Sequence, residues 1–446
     1  MTTTPASGAV PLSEAARFWF QLGWVSFGGP AGQIALLQRE LVDRRRWLSE
    51  RRFLHALNYC VLLPGPEAMQ LATYLGWLLH GVPGGLIAGG LFVLPSVFVL
   101  TALASLYALW GQLPLLASVF AVLKPVVLAI VLMAAWRIGR RTLHTPLLVV
   151  LAVAGFVALA VFRLPYPLLV IASALIGGVT ARVRPALLLS ARPHGAPDAS
   201  PELEPSEALH GDQTPTPDHA RLSRRRLALT LLIWALALLL PLVGLVLAGG
   251  WSGTLALMAR FFTRVALFSF GGAYAVLPYV AQGAVEQFGW LSAPQMLDGL
   301  ALGETTPGPL IMVVAFVGFM GGWKQSLAAG ASPWPLALAA VAVTVWFTFL
   351  PSFGFILAGA PLVEASREDL RLSAPLSAVT ALVVGVIASL ALFFAGPVLW
   401  PAGRFDPWAA LLVAVALVLQ LRLRWSVLQL IGAAVALGVL RLLVRV

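Results

Sequence analysis

Four short stretches of this 446-residue chain combine glycine, proline and hydroxyl groups in an order that could hold an anion. They are Ser26-Phe27-Gly28-Gly29-Pro30, Pro64-Gly65-Pro66, Ser269-Phe270-Gly271-Gly272 and Thr305-Thr306-Pro307-Gly308-Pro309. Glycine frees the backbone from helical geometry, and proline is favoured in the first turn of the next helix. Helices starting near Pro30, Pro66, Ala273 and Pro309 would each begin inside an apolar segment, with unpaired N–H groups at the break. A helix N-terminus carries about half a positive charge and several donors, so it binds an anion without a formal countercharge. Ser26, Ser269, Thr305 and Thr306 could add hydroxyl donors. One glycine pair in an apolar helix is better explained by close packing. Four breaks at related positions argue for a cradle of helix ends.

That relation is a duplication. Ser26-Phe27-Gly28-Gly29 returns as Ser269-Phe270-Gly271-Gly272, 243 residues later. At the same offset Arg17 meets Arg260, Trp47-Leu48-Ser49 meets Trp290-Leu291-Ser292, and Pro64-Gly65-Pro66 meets Pro307-Gly308-Pro309. Met69 and Ala72 likewise meet Met312 and Ala315, with no gap from position 17 to position 72. A duplicated half with glycine- and proline-interrupted apolar segments is the sequence mark of a secondary transporter, whose binding site lies at the interrupted helices.

Ionisable residues at membrane depth are costly and call for a partner or a function. Glu67 follows the first Pro-Gly-Pro, and Glu304 precedes the second by three residues; the two are not repeat-equivalent. Each could carry a coupling proton or gate the site, or could pair with Arg17 or Arg260. Arg17, Arg260 and Arg264 could attract an anion, or could snorkel to the membrane surface. Lys124, inside an apolar segment, calls for an ion pair or a substrate contact. Asn58 and Gln70 are expected to line the cavity, and Trp47 and Trp290 to act as interfacial anchors.

The elements that must position these residues are membrane helices. Sixty per cent of the chain is apolar, 11% is charged and the mean hydropathy is +0.91, outside the range of soluble domains. Runs of about twenty apolar residues, long enough to cross a bilayer, recur throughout. The alternating strands of an outer-membrane barrel do not appear. Of 29 basic residues, 27 are arginine, and they sit in loops between apolar segments, which fits membrane topology rather than nucleic-acid binding. Cys60, the single cysteine, rules out an internal disulfide or a multi-cysteine metal site. Residues 1–11 lead into no short apolar stretch with a cleavage site, so no removable signal peptide is expected.

Residues 1–183 are read as one repeat and 251–446 as the second, inverted repeat. Between them lie a basic, proline-rich linker (184–226), expected to be disordered and cytoplasmic, and an extra membrane helix (227–250). The histidines of the linker, His194, His210 and His219, are expected to be merely solvated. The loop after the first Ser-Phe-Gly-Gly segment carries Arg39, Arg44, Arg45, Arg46, Arg51 and Arg52, whereas its counterpart, 281–294, carries no lysine or arginine. By the positive-inside rule the first loop is cytoplasmic and the second external, so the copies run antiparallel. Treating the four interrupted segments as re-entrant hairpins leaves 20 loop charges inside and five outside (Arg163, Lys324, Arg404, Arg441 and Arg445). Full crossings give a poorer division of 14 against 11. Kinked full spans are the alternative. The expected fold class is an all-α polytopic membrane protein with two homologous inverted-topology repeats and broken helices.

At these residues the chain resembles the chromate ion transporter (CHR) family in its long two-domain form. The resemblance is carried by Phe27-Gly28-Gly29-Pro30 through Trp47-Leu48 and by Leu63-Pro64-Gly65-Pro66-Glu67-Ala68-Met69-Gln70-Leu71-Ala72. In the second half it is carried by Phe268-Ser269-Phe270-Gly271-Gly272 and Glu304-Thr305-Thr306-Pro307-Gly308-Pro309. It implies a multi-pass inner-membrane exporter of chromate in a bacterium or archaeon, giving chromate resistance and driven by the membrane potential or a coupling proton. Sulfate shares chromate's charge and tetrahedral shape, and the motifs do not separate them. The expected partners are that oxyanion, the lipid bilayer and a second copy in a homodimer; no cofactor, metal or nucleic acid is expected. A passive anion channel could be built from the same helix ends. An enzyme would need a catalytic constellation, and no paired histidines, phosphate loop or nucleophile elbow appears.

Overall fold

The computed structural model describes residues 10–184, 209, 218–220, 223–365 and 373–444. The first half contains α1 (Leu12–Val25), α2 (Gly29–Gln38, continued by a π-helical turn Arg39–Arg44), α3 (Glu50–Leu62), α4 (Glu67–Trp110), α5 (Pro114–Thr142), α6 (Pro146–Ala160) and α7 (Tyr166–Val183). After α8 (Arg224–Gly249), the second half repeats the order: α9 (Thr254–Leu267), α10 (Ala273–Ala281, with a π-helical turn Gln282–Gln287), α11 (Ala293–Thr305) and α12 (Val313–Ala328). It closes with α13 (Pro333–Ala365), α14 (Ser373–Leu399), α15 (Pro407–Arg422) and α16 (Val427–Val444). Seven of the described helices are long and apolar enough to cross a membrane, and the fold is that of an all-α polytopic membrane protein. The α4 helix is two helices joined at a kink, where His80 and Gly81 leave helical geometry. Its two parts correspond to α12 and α13.

The four interrupted segments are hairpins. The α1 helix, 14 residues and about 21 Å long, leads to the break at Ser26, and α2 brings the chain back. Arg45 then lies 4.7 Å over the Phe18 ring and 3.9 Å from Glu14, and Trp47 packs edge-on to Phe18. The α3 helix and the first part of α4 return in the same way, ending where the His80 ring meets the Val10 carbonyl at 2.7 Å. In the second half Trp290 comes back onto Phe261 and Phe262. Lys324 Nζ, at the end of α12, donates to the Gly289 carbonyl at 2.8 Å.

Two long helices measure the distance between these open ends. The 33-residue α13, about 50 Å long, starts where Trp334 packs on Trp323 beside the second half's open ends. It finishes where Glu364 accepts from Tyr74 near those of the first half, at 2.6 Å. The second part of α4 runs the opposite way, from His80 to Tyr107, whose hydroxyl donates to Asp298 on α11 at 2.8 Å. The remaining helices of both halves form a scaffold centred on α14, which packs on α5, α6, α7 and α10. Close approach of α6 and α14 requires small residues, since a Cβ on Gly385 would overlap the Ala152 carbonyl.

Two expectations need correction, those for the tryptophan pair and for His219. Trp47 and Trp290 are 6% exposed; they close the hairpins from inside rather than anchoring a membrane surface. The linker is docked where it is described: Leu209 N–H donates to the Arg46 carbonyl, His219 meets the Trp77 carbonyl at 2.9 Å and stands edge-on to its ring, and Ala220 is buried. His219 is therefore a packing residue; His194, His210 and the rest of the expected linker core lie outside the described residues. The α8 helix has no first-half counterpart and no buried residue. It leans on α13 through Trp234 Nε1 to the Leu350 carbonyl and Trp346 Nε1 to the Ala237 carbonyl.

Candidate functional site

The tips of the four hairpins meet, and they meet across the halves. Gly308 N–H donates to the Ser26 carbonyl at 2.7 Å, and Gly65 N–H donates to the Ser269 carbonyl at 2.9 Å. Each bond is the other shifted by the 243-residue repeat. The first break of each half thus holds the second break of the other.

Side chains reinforce the exchange. Gln33 Nε2 donates to the Gly308 carbonyl at 2.6 Å and the Ser26 carbonyl at 3.2 Å. Gln70 Nε2 donates to the Pro64 carbonyl at 2.7 Å and to Ser352 Oγ at 3.4 Å. Ser96 Oγ donates to the Pro307 carbonyl. Both glycines have left-handed φ, 136° at Gly65 and 94° at Gly308. A Cβ at Gly65 would overlap Gln70 and Ser352, and one at Gly308 would overlap Ser96. Glycine is required on both counts.

The expected cradle is changed in detail. Gly65 and Gly308 have already given their N–H groups to the opposite half. Thr305 and Thr306 donate to the carbonyls of Leu302 and Gly303 three residues back, so their hydroxyl protons are spent inside α11. Ser26 Oγ is buried without a partner among the described residues. The free helix ends are those of α2, behind Gly28 and Gly29, and of α10, behind Gly271 and Gly272, all four with positive φ. Phe27, Pro30, Phe270, Pro64, Pro66 and Pro309 shape these turns; Pro66 and Pro309 sit one residue before their helical turns and Pro30 inside the first turn of α2.

Two carboxylates gather at the α10 end. Glu67 Oε1 lies 3.6 Å from where a Gly272 Cβ would stand. Glu304 Oε1 accepts from the Tyr274 hydroxyl, in the first turn of α10, at 2.5 Å. Unrelated by the repeat, they reach α10 at different residues, and among the described residues neither pairs with a cation.

The basic candidates lie elsewhere. Arg260 donates to the Trp251 carbonyl at 2.6 Å and lies 4.0 Å over that ring, at the open end of its hairpin. Arg264 reaches the Tyr279 hydroxyl, and Arg17 is exposed, as is Asn58. Lys124 pairs with Asp298 at 3.5 Å, beside Tyr107; Asp298 was not a sequence candidate. Ser96 and Ser352 also escaped, although they sit in a second repeat, Leu94-Pro95-Ser96 and Leu350-Pro351-Ser352. Its offset is 256, so ungapped matching at 243 passes over it.

Comparison with known proteins agrees with this architecture. The family model described as chromate transporter matches residues 13–179 and 256–439. A chromate transport protein of Pseudomonas aeruginosa is 34% identical over 84% of this chain and 78% of its own length. A probable chromate transport protein of Synechococcus elongatus is 29% identical over 85% and 84%. The uncharacterized transporter YwrA of Bacillus subtilis is 30% identical over 92% of its own length but 36% of this chain, the size of one repeat. No solved structure matches. With both copies matched, together covering most of its length, the chain belongs to the chromate transporter family.

Proposed function

We propose that this protein is a secondary active transporter that moves a tetrahedral oxyanion, chromate first, out of the cytoplasm across the inner membrane and so gives chromate resistance. The observation that carries this reading is the reciprocal pairing of the tips, beside a helix N-terminus faced by Glu67 and Glu304. Broken helices meeting at a repeat interface are how such transporters place a substrate site. The named relatives supply the choice of chromate.

The halves are inverted. Supporting this, the open ends of the first-half hairpins lie at one end of α13 and those of the second half at the other. The arginine-rich loop 39–52 and the docked linker residue Leu209 share an end, and by the positive-inside rule that end is cytoplasmic. Four re-entrant hairpins, one odd helix (α8) and eight further crossings make up the topology. Irregular backbone at membrane depth is tolerated where protein satisfies it, as the cross-half bonds do.

At the α10 end the Glu67 carboxylate stands beside Gly272, the residue before the N–H groups that would hold an oxyanion. Two negative charges side by side repel, so protonation of Glu67 favours substrate at the helix end. Linkage then makes the proton and the oxyanion bind cooperatively, which couples flux to the proton gradient. Ser26 Oγ, with no partner among the described residues, offers a donor at the other tip junction.

The test is chromate and sulfate flux in proteoliposomes under imposed pH and potential gradients. Uphill flux abolished by an uncoupler is expected; flux that only follows its own gradient would make this a passive anion channel. Single cysteines at positions 45, 140 and 290 in a Cys60→Ala background should react with an impermeant thiol reagent from one side for 45 and 140, and from the other for 290. Labelling of 45 and 290 from the same side would reject the inversion.

A further inference from the structure

Between the C-terminal ends of α5 and α15 lies a cleft of about 540 Å³ whose polar lining is Arg137, Arg140, Arg141, Arg424 and Gln420, none of them a residue of the hairpin tips. Trp136 forms an aromatic wall, with the Arg140 guanidinium 5.9 Å from its ring centroid. None of the four arginines has a carboxylate partner among the described residues. Gln420 is 4% exposed; its Oε1 accepts from Arg137 Nη2 at 3.4 Å, and its Nε2 has no acceptor among the described residues.

We propose that this cleft is a binding site for a tetrahedral oxyanion, separate from the transport site. Arginine and the Gln420 amide nitrogen offer only donors, and the one side-chain acceptor, Gln420 Oε1, is taken by Arg137. Buried donors are met in folded proteins with few exceptions, and none of the described residues supplies the acceptor here. Guanidinium forks match the geometry of a tetrahedral oxyanion. Arg424 sits in the left-handed region, φ 54°, directly after the last turn of α15 and its Leu423 cap, a place usually taken by glycine or asparagine. By the charge rule the cleft opens to the cytoplasm, where it could take a free oxyanion or the phosphate of an anionic lipid headgroup.

The experiment uses the full-length protein. In one arm, sulfate is titrated in detergent at constant ionic strength. The part of the tryptophan emission change that disappears in Trp136→Phe reports this cleft rather than the tips. In the other, thermal midpoints are compared in phosphatidylcholine nanodiscs with and without phosphatidylglycerol. A free-oxyanion site gives a saturable response that Arg140→Gln/Arg424→Gln weakens about tenfold or more. A headgroup site gives a phosphatidylglycerol-dependent rise in midpoint that the same variant loses. Gln420→Leu keeps all four charges and should weaken whichever response is seen about threefold or more, the scale of one hydrogen bond. If the double variant does not fold, the single variants Arg140→Gln and Arg424→Gln replace it. No response in either arm, or a response unchanged by the arginine variants, overturns the proposal. So does one indifferent to Gln420→Leu, which would mark a diffuse basic surface. None of these outcomes bears on the hairpin tips.

Discussion

The α2 and α10 helices begin at the same motif, 243 residues apart, and end in the same π-helical turn, yet their surroundings are opposite. Every residue of α10 except Tyr274 is buried, walled in by α14. On α2, by contrast, Ala31, Gly32 and Ala35 are exposed, as is Gly28 before it. The cause lies in the scaffold: α5, the counterpart of α14, packs on α11, α15 and α16 instead of on α2. The electrostatics follow. The α10 end is faced by Glu67 and paired through Tyr274 with Glu304, whereas at Gly29 no atom lies within 4 Å of where a Cβ would stand. Duplication supplied two equal helix ends, and packing made one of them a titratable site.

The largest break in this comparison should come from valine at the glycines. Gly308→Val meets Ser96 and a left-handed φ together, a penalty of about 2–5 kcal/mol, and should abolish transport and lower the melting temperature. Gly272→Val should abolish transport with a smaller loss of stability, because its Cβ points at the Glu67 carboxylate. Gly29→Val meets open space and bears only the backbone strain of about 1–2 kcal/mol. It should retain more flux than Gly272→Val, and equal loss in the two would erase the distinction drawn between the ends.

A middle-sized effect is expected at Glu67. If its carboxylate competes with the substrate, sulfate affinity should rise as pH falls, by at most about tenfold per unit, and sulfate itself does not titrate near neutrality. Glu67→Gln should make the profile flat. A variant that keeps the wild-type slope would move the coupling proton to Glu304.

The smallest effect concerns the two serines. Ser96→Ala and Ser352→Ala each remove a hydrogen-bond partner at one tip junction, worth about 0.5–1.5 kcal/mol. Similar losses in the two would show that the junctions remain equivalent although the helix ends do not.

Much of this was legible in the sequence and some was not, for physical reasons. The 243-residue repeat located all four tips, since glycine and proline at fixed spacing dictate breaks whatever surrounds them. The hairpins were readable from arginine placement. Which break pairs with which was not, because Gly65–Ser269 and Gly308–Ser26 are tertiary contacts between distant halves. The contacts of Glu67 with Gly272 and of Glu304 with Tyr274 are invisible for the same reason. Thr305 and Thr306 misled because a hydroxyl near the end of a helix finds its own carbonyls first. Lys124 signalled its need for a partner, but only the fold could supply Asp298.

The crossed bonds at the tips also constrain how the molecule can move. Each amide's acceptor belongs to the opposite repeat, so pulling the repeats apart at mid-depth would strand two N–H groups in a dry interior, at about 1–3 kcal/mol each. Shear along the contact lets one pair loosen while its twin holds. Of the two familiar classes of domain motion, hinge and shear, the geometry favours the second, with the repeats sliding along their contact at the tips.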